Sequence, residues 1–443
     1  MANTNPRKLA VQILYNIINK KSLYSAQMSE LRRNEDITPL DVRFVSEIVT
    51  GVLRNLEYLD FLISQSSDIR LNKISPYVHC VLLIGIYQII FMDKVPHSAA
   101  VNECVKIIKK SSNYRLGGYV NAVLRKAGTN GMLLPEKDDP KKYLSIKYSC
   151  PLWLTDLYNE RLGSETEQLL KCMNSKPDII LRVNTRKTST DSLLSVLSQE
   201  HWECEPYKSE LFPEIDYLIR VKKVGCEIEH SKAYKDGLFY VQDPAAAYVG
   251  HILNPKANSI VFDMCASPGG KTTHFAEIMQ NTGKVYAFDV TNEKINKINI
   301  NSQRLGLCNI TAQVSDSSVY NKDFNQMADY VVVDAPCSGL GIIRKKPDIK
   351  YQRKQSDISD LSKISSAILN AGAQYVKSGG YLLFSTCTIT KEENENVLFD
   401  FLKAHKEFKL KSISCTKDND GYITLYPHTD DCDGFFISLM TKE

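Results

Sequence analysis

The chain has 443 residues, 43% hydrophobic and 24% charged, a balance that excludes disordered and fibrous classes and leaves room for two or three folded domains. Its net charge is only +4, yet residues 1–150 carry 21 Lys and Arg against 13 Asp and Glu (+8), whereas the rest carries 34 against 38 (−4). The basic front suggests either an anionic partner or a solvated lysine-rich helical surface.

Residues 6–128 predict helix throughout. Pro6 suits a first turn, and Leu9, Ile13, Leu14, Ile17 and Ile18 recur at helical spacing. Thr38-Pro39 opens a second helix with Val42, Val45, Ile48, Val49 and Leu53 on one face. The uncharged stretch YVHCVLLIGIYQIIFM (77–92) carries His79 and Gln88. It falls short of the roughly 20 apolar residues that span a bilayer, so a buried helix is expected and no membrane partner. A further helix starts at His97-Ser98, and GGYVNAVLRKAG (117–128) closes the run with Gly128 as its expected stop. Residues 1–130 therefore form an expected all-α domain, followed by a Gly-, Pro- and Asp-containing linker over 128–142.

Residues 143–240 predict a small α+β domain: Trp153 to Met173 has helical period, and DIILRVNT (178–185) and DYLIRVK (216–222) read as strands. Residues 241–443 form the third expected domain. Asp243-Pro244 is a helix start, and from 258 onward short apolar runs alternate with helical stretches such as Asn292–Leu305, which Gly306 ends. Such alternation means an α/β, Rossmann-like fold, with ligands at the carboxyl ends of its parallel strands.

At that edge lies MCASPGGKTTH (264–274). Its Gly-Lys-Thr resembles the end of a phosphate-binding loop, but Cys265 stands where the first glycine belongs, and Pro268 has no N–H to give. Gly269 and Gly270 instead let a ligand approach the backbone. Asp289 ends the next strand, placed for a ribose diol, and Asp316 follows another, placed for an adenine amino group. A glycine turn with two strand-end acids describes a nucleoside cofactor without phosphate, and S-adenosylmethionine (SAM) fits best, because the G-x-G-x-x-G fingerprint of NAD sites is missing. Each acid by itself is equally a cap or turn former.

Two cysteines share this edge: Cys337 in DAPCSG (334–339), beside Asp334, and Cys387 in STCT (385–388). Cysteines at strand ends commonly serve packing. As a pair near a carboxyl they suit another chemistry: a thiolate adds to C6 of a pyrimidine and makes C5 a nucleophile for a methyl group, while Asp334 hydrogen-bonds the base at N3. Twelve cysteines include no C-x-x-C pair, so no metal is expected, and the opening MANTNPRKLAVQILYNIINKK has no export-signal pattern, so a cytoplasmic location with reduced thiols is expected.

DMCASPGGKT, DAPCSG and STCT resemble, in order and spacing, the motifs of RNA cytosine-C5 methyltransferases. The resemblance implies that Cys387 is the nucleophile, that Cys337 assists product release, and that Cys265, Ala266, Ser267, Pro268, Gly269, Gly270, Lys271, Asp289, Asp316 and Asp334 hold SAM or the reacting base. PRKLAVQILY, the segment around 83–110 and YVNAVLRKAG look like the helical RNA-binding domain of NusB. A NusB-like domain joined to this catalytic domain is the layout of the RsmB (Sun/Fmu) family of 16S rRNA methyltransferases. GIIRKKPDIKYQRK (341–354) resembles that family's basic segment, so Arg344, Lys345 and Lys346 are expected to meet RNA phosphates, a solvated loop being the alternative. Ser267 and Thr388 depart from the commoner alanine and serine. The likeness implies 5-methylcytosine formation in 16S rRNA, at the cytosine the family numbers 967, with 16S rRNA or a small-subunit assembly intermediate as partner and the protein a monomer. Open alternatives are tRNA or 23S rRNA as substrate, and an inactive NusB-like RNA-binding factor.

Overall fold

The computed structural model describes residues 5–443. Its contacts group into two compact units: the chain up to Ser175 with Ile343–Arg353, and Lys176–Ile342 with Lys354–Glu443.

The first unit is helical: α1 (Pro6–Lys20), α2 (Tyr24–Arg33), α3 (Pro39–Arg54), α4 (Leu56–Ser66), α5 (Pro76–Phe91), α6 (His97–Lys109), α7 (Gly117–Asn130), α8 (Pro140–Lys147), α9 (Leu152–Leu162) and α10 (Thr166–Met173). The side chain of Asn5 caps α1 by accepting from Arg7 N–H, and Thr38 caps α3 by accepting from Asp41 N–H, each followed by a proline that has no N–H to satisfy. α5 is buried almost all round, as its unbroken apolar run demands. Its two polar groups are paired: His79 Nε2 lies 2.6 Å from Asp60, and Gln88 donates to Ile84 O while accepting from Arg7 Nε at 2.6 Å. Gly51 of α3 faces the Tyr87 ring so closely that a Cβ there would lie 2.0 Å from it. Among the described residues no helix is long and apolar enough to cross a membrane.

Two boundaries differ from the sequence reading. α7 passes through Gly128 and stops at Gly131, whose φ of +63° supplies the left-handed turn. The helical stretch from Trp153 breaks at Gly163 (φ +53°) into α9 and α10, and both belong to the first unit.

The second unit starts with β1 (Ile179–Val183), α11 (Thr190–Gln199), β2 (Glu203–Pro206), β3 (Leu218–Lys223), α12 (Lys232–Lys235) and β4 (Phe239–Val241); the strands form an antiparallel sheet in the order β2-β3-β1-β4. It continues with α13 (Pro244–Leu253), β5 (Ile260–Asp263), α14 (Gly270–Ile278), β6 (Lys284–Asp289), α15 (Asn292–Leu305), β7 (Ile310–Val314) and β8 (Ala328–Asp334). After the excursion that contains α16 (Ile349–Gln352) come α17 (Gln355–Tyr375), β9 (Val376–Thr386), α18 (Glu395–Ala404), β10 (Phe408–Leu410), β11 (Tyr422–Leu425) and β12 (Phe435–Lys442). The large sheet runs β10-β12-β9-β8-β5-β6-β7, with β11 on β12. Its strands from β9 to β7 are parallel; β12 is antiparallel to β9. The register sets Asp334 beside Ser385 and Asp263 beside Ala287, so β5, β6, β8 and β9 all end at one edge. Phe262, Phe288, Tyr375 and the half-buried Phe324 pack against one another, mostly edge to face, a fully buried ring such as Phe262 contributing roughly 1.5–3 kcal/mol.

Candidate active site

The turn after β5 is held from both sides. Met264 N–H donates to Val332 O, Ala266 N–H to Phe288 O, and Gly269 N–H closes onto Ala266 O at 2.7 Å. Gly269 has φ +100°, which favours glycine, and a Cβ there would press the Ile298 backbone at 3.3 Å. The Ser267–Pro268 peptide is cis. A cavity of about 220 Å³ opens on this turn, walled by Cys265 to Pro268, Gly270 and Lys271, and across from them by Tyr240, Gln242, Asp243, Asp263 and Asp334.

The three strand-end acids differ in setting. Asp289, 5% exposed, accepts from Ser267 N–H at 2.9 Å, from Val290 N–H and from the Lys294 ammonium at 2.8 Å, so it braces the glycine turn and does not wall the cavity. Asp316 is exposed beyond β7; the Ser318 hydroxyl and N–H donate to it and lower its pKa. Asp334 accepts from Ser385 Oγ at 2.9 Å and, through its other oxygen, from Lys271 Nζ at 2.5 Å. Burial works against the Lys271 charge, but Asp334 outweighs it and the ammonium is held above its usual pKa.

Cys337 and Cys387 meet, Sγ to Sγ, at 3.2 Å. The hydrogen bond with Cys387, helped by burial, pushes the Cys337 thiol well above the ordinary range, so Cys337 keeps its proton. The charge of Lys271 is favoured by Cys387, which places an ammonium within electrostatic reach of that sulfur. Burial pushes the Cys265 thiol up as well, next to three carboxylates, and leaves it a poor nucleophile. Such a set offers a sulfur nucleophile, a second sulfur that holds its proton, and a carboxyl and an ammonium for a polar ring.

Three groups escaped the sequence reading. Asp263 ends β5, is 1% exposed and belongs to the cavity lining; its Oδ2 accepts from Thr272 at 2.6 Å while its buried Oδ1 has no hydrogen-bond partner. Burial pushes its carboxyl up to about 7. Glu393 and Asn394, both wholly buried, bond to the residues that flank the two cysteines. Arg182 of β1, 1% exposed, grips both oxygens of Glu277 (3.2 and 3.0 Å), Gly270 O at 2.7 Å and Thr273 Oγ1 at 3.1 Å. An arginine in a strand was visible in the sequence; its partners, about 90 residues away, were not.

The cations expected to meet RNA lie in the first unit. Lys346 is exposed, and Lys345 and Arg344 are half-buried. Arg344 offers its carbonyl to Arg54 Nη2 at 3.0 Å.

Comparison with known proteins bears on this geometry. The pattern of the family described as 16S rRNA methyltransferase RsmB/F matches residues 250–441, that of the NusB family residues 4–128, and that of an RsmF/B-like ferredoxin-like domain residues 150–215. A probable ribosomal RNA small subunit methyltransferase B of Synechocystis is 33% identical over 98% of this chain and 99% of its own. Its counterpart in Bacillus subtilis is 32% identical over the whole of both chains. The chain belongs to the RsmB family. Members of this family are SAM-dependent rRNA methyltransferases with a NusB-like front, a ferredoxin-like middle and a methyltransferase domain. The crystal structure of PH0851 is similar over 99% of both chains, with a TM-score of 0.82 at 26% identity.

Proposed function

We propose that this RsmB-family protein transfers a methyl group from SAM to C5 of a cytosine in 16S rRNA, the one the family numbers 967, through a transient bond from Cys387 to C6 of the base. The observation that carries this is the pair of sulfurs 3.2 Å apart beside the Lys271–Asp334 ion pair, at the strand edge that holds the glycine turn.

The cavity suits SAM. Its turn has no nest of consecutive N–H groups for phosphates, since Pro268 interrupts it, and Asp263, Asp334 and Gln242 supply polar groups to its lining. Cys265 to Lys271 would line the cofactor, with Asp289 bracing the turn and Asp316 beyond β7. When bound, SAM supplies an electrophilic methyl group. Cys387 adds to C6 as its thiolate; N3 takes up a proton as that bond forms, with the Asp334 carboxyl hydrogen-bonding there, which lets charge build at C5 for its attack on the methyl group. A base, solvent included, takes the C5 proton, the Sγ–C6 electron pair returns to the Cys387 sulfur, N3 gives up the proton it gained, and Cys337, with its firmly held proton, assists the sulfur's departure. The base must leave its stack to reach the sulfur, as an unpaired or flipped nucleotide does. Residues 1–130 and 143–240, with Lys346 and its neighbours, would carry and align the RNA, and 241–443 the chemistry.

The test is methyl transfer to small-subunit rRNA that lacks its modifications, with mapping of the labelled base. Cys387→Ala abolishes transfer, and Cys337→Ala leaves a denaturation-resistant protein–RNA adduct. Normal turnover by Cys387→Ala overturns the nucleophile; label found only in tRNA or 23S rRNA overturns the substrate.

A further inference from the structure

We propose that Glu393 and Asn394, just ahead of α18, are positioning residues that hold the two thiols from separate sides: Glu393 fixes the Cys337 side, Asn394 the Cys387 side. This rests on the assignment of the thiols above.

Glu393 is 0% exposed. Its Oε1 accepts from Ser338 N–H at 2.7 Å, and its Oε2 accepts from Ser338 Oγ at 2.6 Å and from Thr390 Oγ1 at 2.8 Å. Ser338 directly follows Cys337, so one carboxylate grips both the backbone and the side chain of the residue that aims that thiol. A hydroxyl has a single proton. Ser338 spends it on Glu393, so the Thr388 hydroxyl, 2.9 Å away, donates to Ser338 Oγ. Asn394, also 0% exposed, accepts from Thr386 Oγ1 at 2.5 Å and donates to Thr388 O at 3.0 Å, on either side of Cys387. The Cys387 carbonyl itself accepts from Gly341 N–H at 3.0 Å. Two adjacent side chains therefore each hold the residues that flank one sulfur, and the Thr388–Ser338 bond joins the two sides. Neither Glu393 nor Asn394 walls the cavity; both act through their neighbours.

Separate control predicts separate defects. Without Glu393 the buried Ser338 N–H loses its acceptor and Cys337 drifts, while Asn394 still presents Cys387. The bond to the base forms and fails to break. Without Asn394 it is the bond formation that suffers. Displacement of a reacting group by about 1 Å costs on the order of 10²-fold in rate.

The experiment uses full-length variants with labelled SAM and unmodified small-subunit rRNA, activity being expressed per folded molecule from the melting curve. Glu393→Ala lowers kcat by about 10²-fold with little change in KM for SAM, and accumulates the covalent adduct. Asn394→Ala lowers turnover without accumulating adduct. Glu393→Gln restores most of the turnover, because its carbonyl can still take Ser338 N–H while the two hydroxyls rotate to accept from its amide. Should Glu393→Ala fail to fold, Ser338→Ala, which removes only a hydroxyl, shows the same adduct to a smaller extent. Normal kcat with no adduct in Glu393→Ala or Ser338→Ala, while the Cys337→Ala control does trap RNA, overturns the positioning role alone. A Cys337→Ala control that traps nothing overturns the thiol assignment, and this proposal with it.

Discussion

Replacing Arg182 by methionine isolates one buried charge in the second unit. The guanidinium and the Glu277 carboxylate are 0% and 3% exposed at the side chain, and Arg182 also supplies the hydrogen bonds of Gly270 O, Thr273 Oγ1 and Gln242 Oε1. Breaking a buried pair from one side costs about 3–5 kcal/mol, mostly from the charge left behind. Burial already holds the Glu277 carboxyl above its usual pKa, with Arg182 pulling it down. Removal of Arg182 lets it rise further. A carboxyl with a raised folded pKa binds more protons folded than unfolded, so its penalty grows as pH rises from the unfolded value near 4.3 and fades as pH falls back. The Arg182→Met deficit is therefore larger at pH 8 than at pH 5. The double variant Arg182→Met/Glu277→Leu removes both charges and recovers part of the loss, but not the lost donation to Gly270 O, which keeps only Thr273 Oγ1 at 3.2 Å as its side-chain donor, about 0.5–1.5 kcal/mol. The chain has two tryptophans; with Trp153 changed to phenylalanine, Trp202, packed on Phe239 at 6.2 Å, reports the second unit alone during urea unfolding, which avoids forcing two units into one transition. Losses that add within about 0.5 kcal/mol in the double variant, or a deficit independent of pH, refute the reasoning.

Asp263→Asn keeps an acceptor for Thr272 and removes an acid whose carboxyl burial, with Asp334 and Asp289, raises to about 7 against the pull of Thr272 and Lys271. Since the folded acid binds extra protons between pH ~3.9 and its raised value, wild-type stability falls across that window and the variant's curve is flatter, by on the order of 4 kcal/mol at most; parallel urea midpoints from pH 4 to 8 would refute this. In the first unit, Lys350 is 3% exposed and donates to Arg54 O at 2.9 Å and Ser149 O at 2.5 Å, and burial lowers its pKa to about 8. Lys350→Met leaves both carbonyls without that donor and costs about 1–3 kcal/mol, read from Trp153 fluorescence in a Trp202→Phe background; an unchanged midpoint counts against the role.

Much of the fold was legible because it is written in period and punctuation. Helical spacing gave α1, α3 and α15, and the glycine turn with its following strands gave the ligand edge. What stayed hidden depends on partners distant in the chain. β12 runs antiparallel to β9 and β11, a direction set by those distant partners and not announced by its own residues. Asp289 was placed correctly at a strand end, yet its oxygens turn to Ser267 and Lys294, which no spacing reveals. Glu393 and Asn394 sit in KEENENV, a polar run that reads as solvated surface, and both are buried. In the basic segment, Arg344 through its carbonyl and Lys350 through its ammonium share hydrogen bonds with Arg54 of α3, which no spacing reveals.

Ile343–Arg353 groups with the helices, although it is strung between the loop after Cys337 and α17. A fragment truncated to begin at Lys176 would therefore carry this stretch stripped of its host, with Ile343 and Pro347, buried in the whole chain, laid bare to water. Shortening the protein to a stand-alone enzyme is thus a matter of redesigning an inner loop as well as choosing a start codon, and a crude deletion would be expected to clump before it could be assayed.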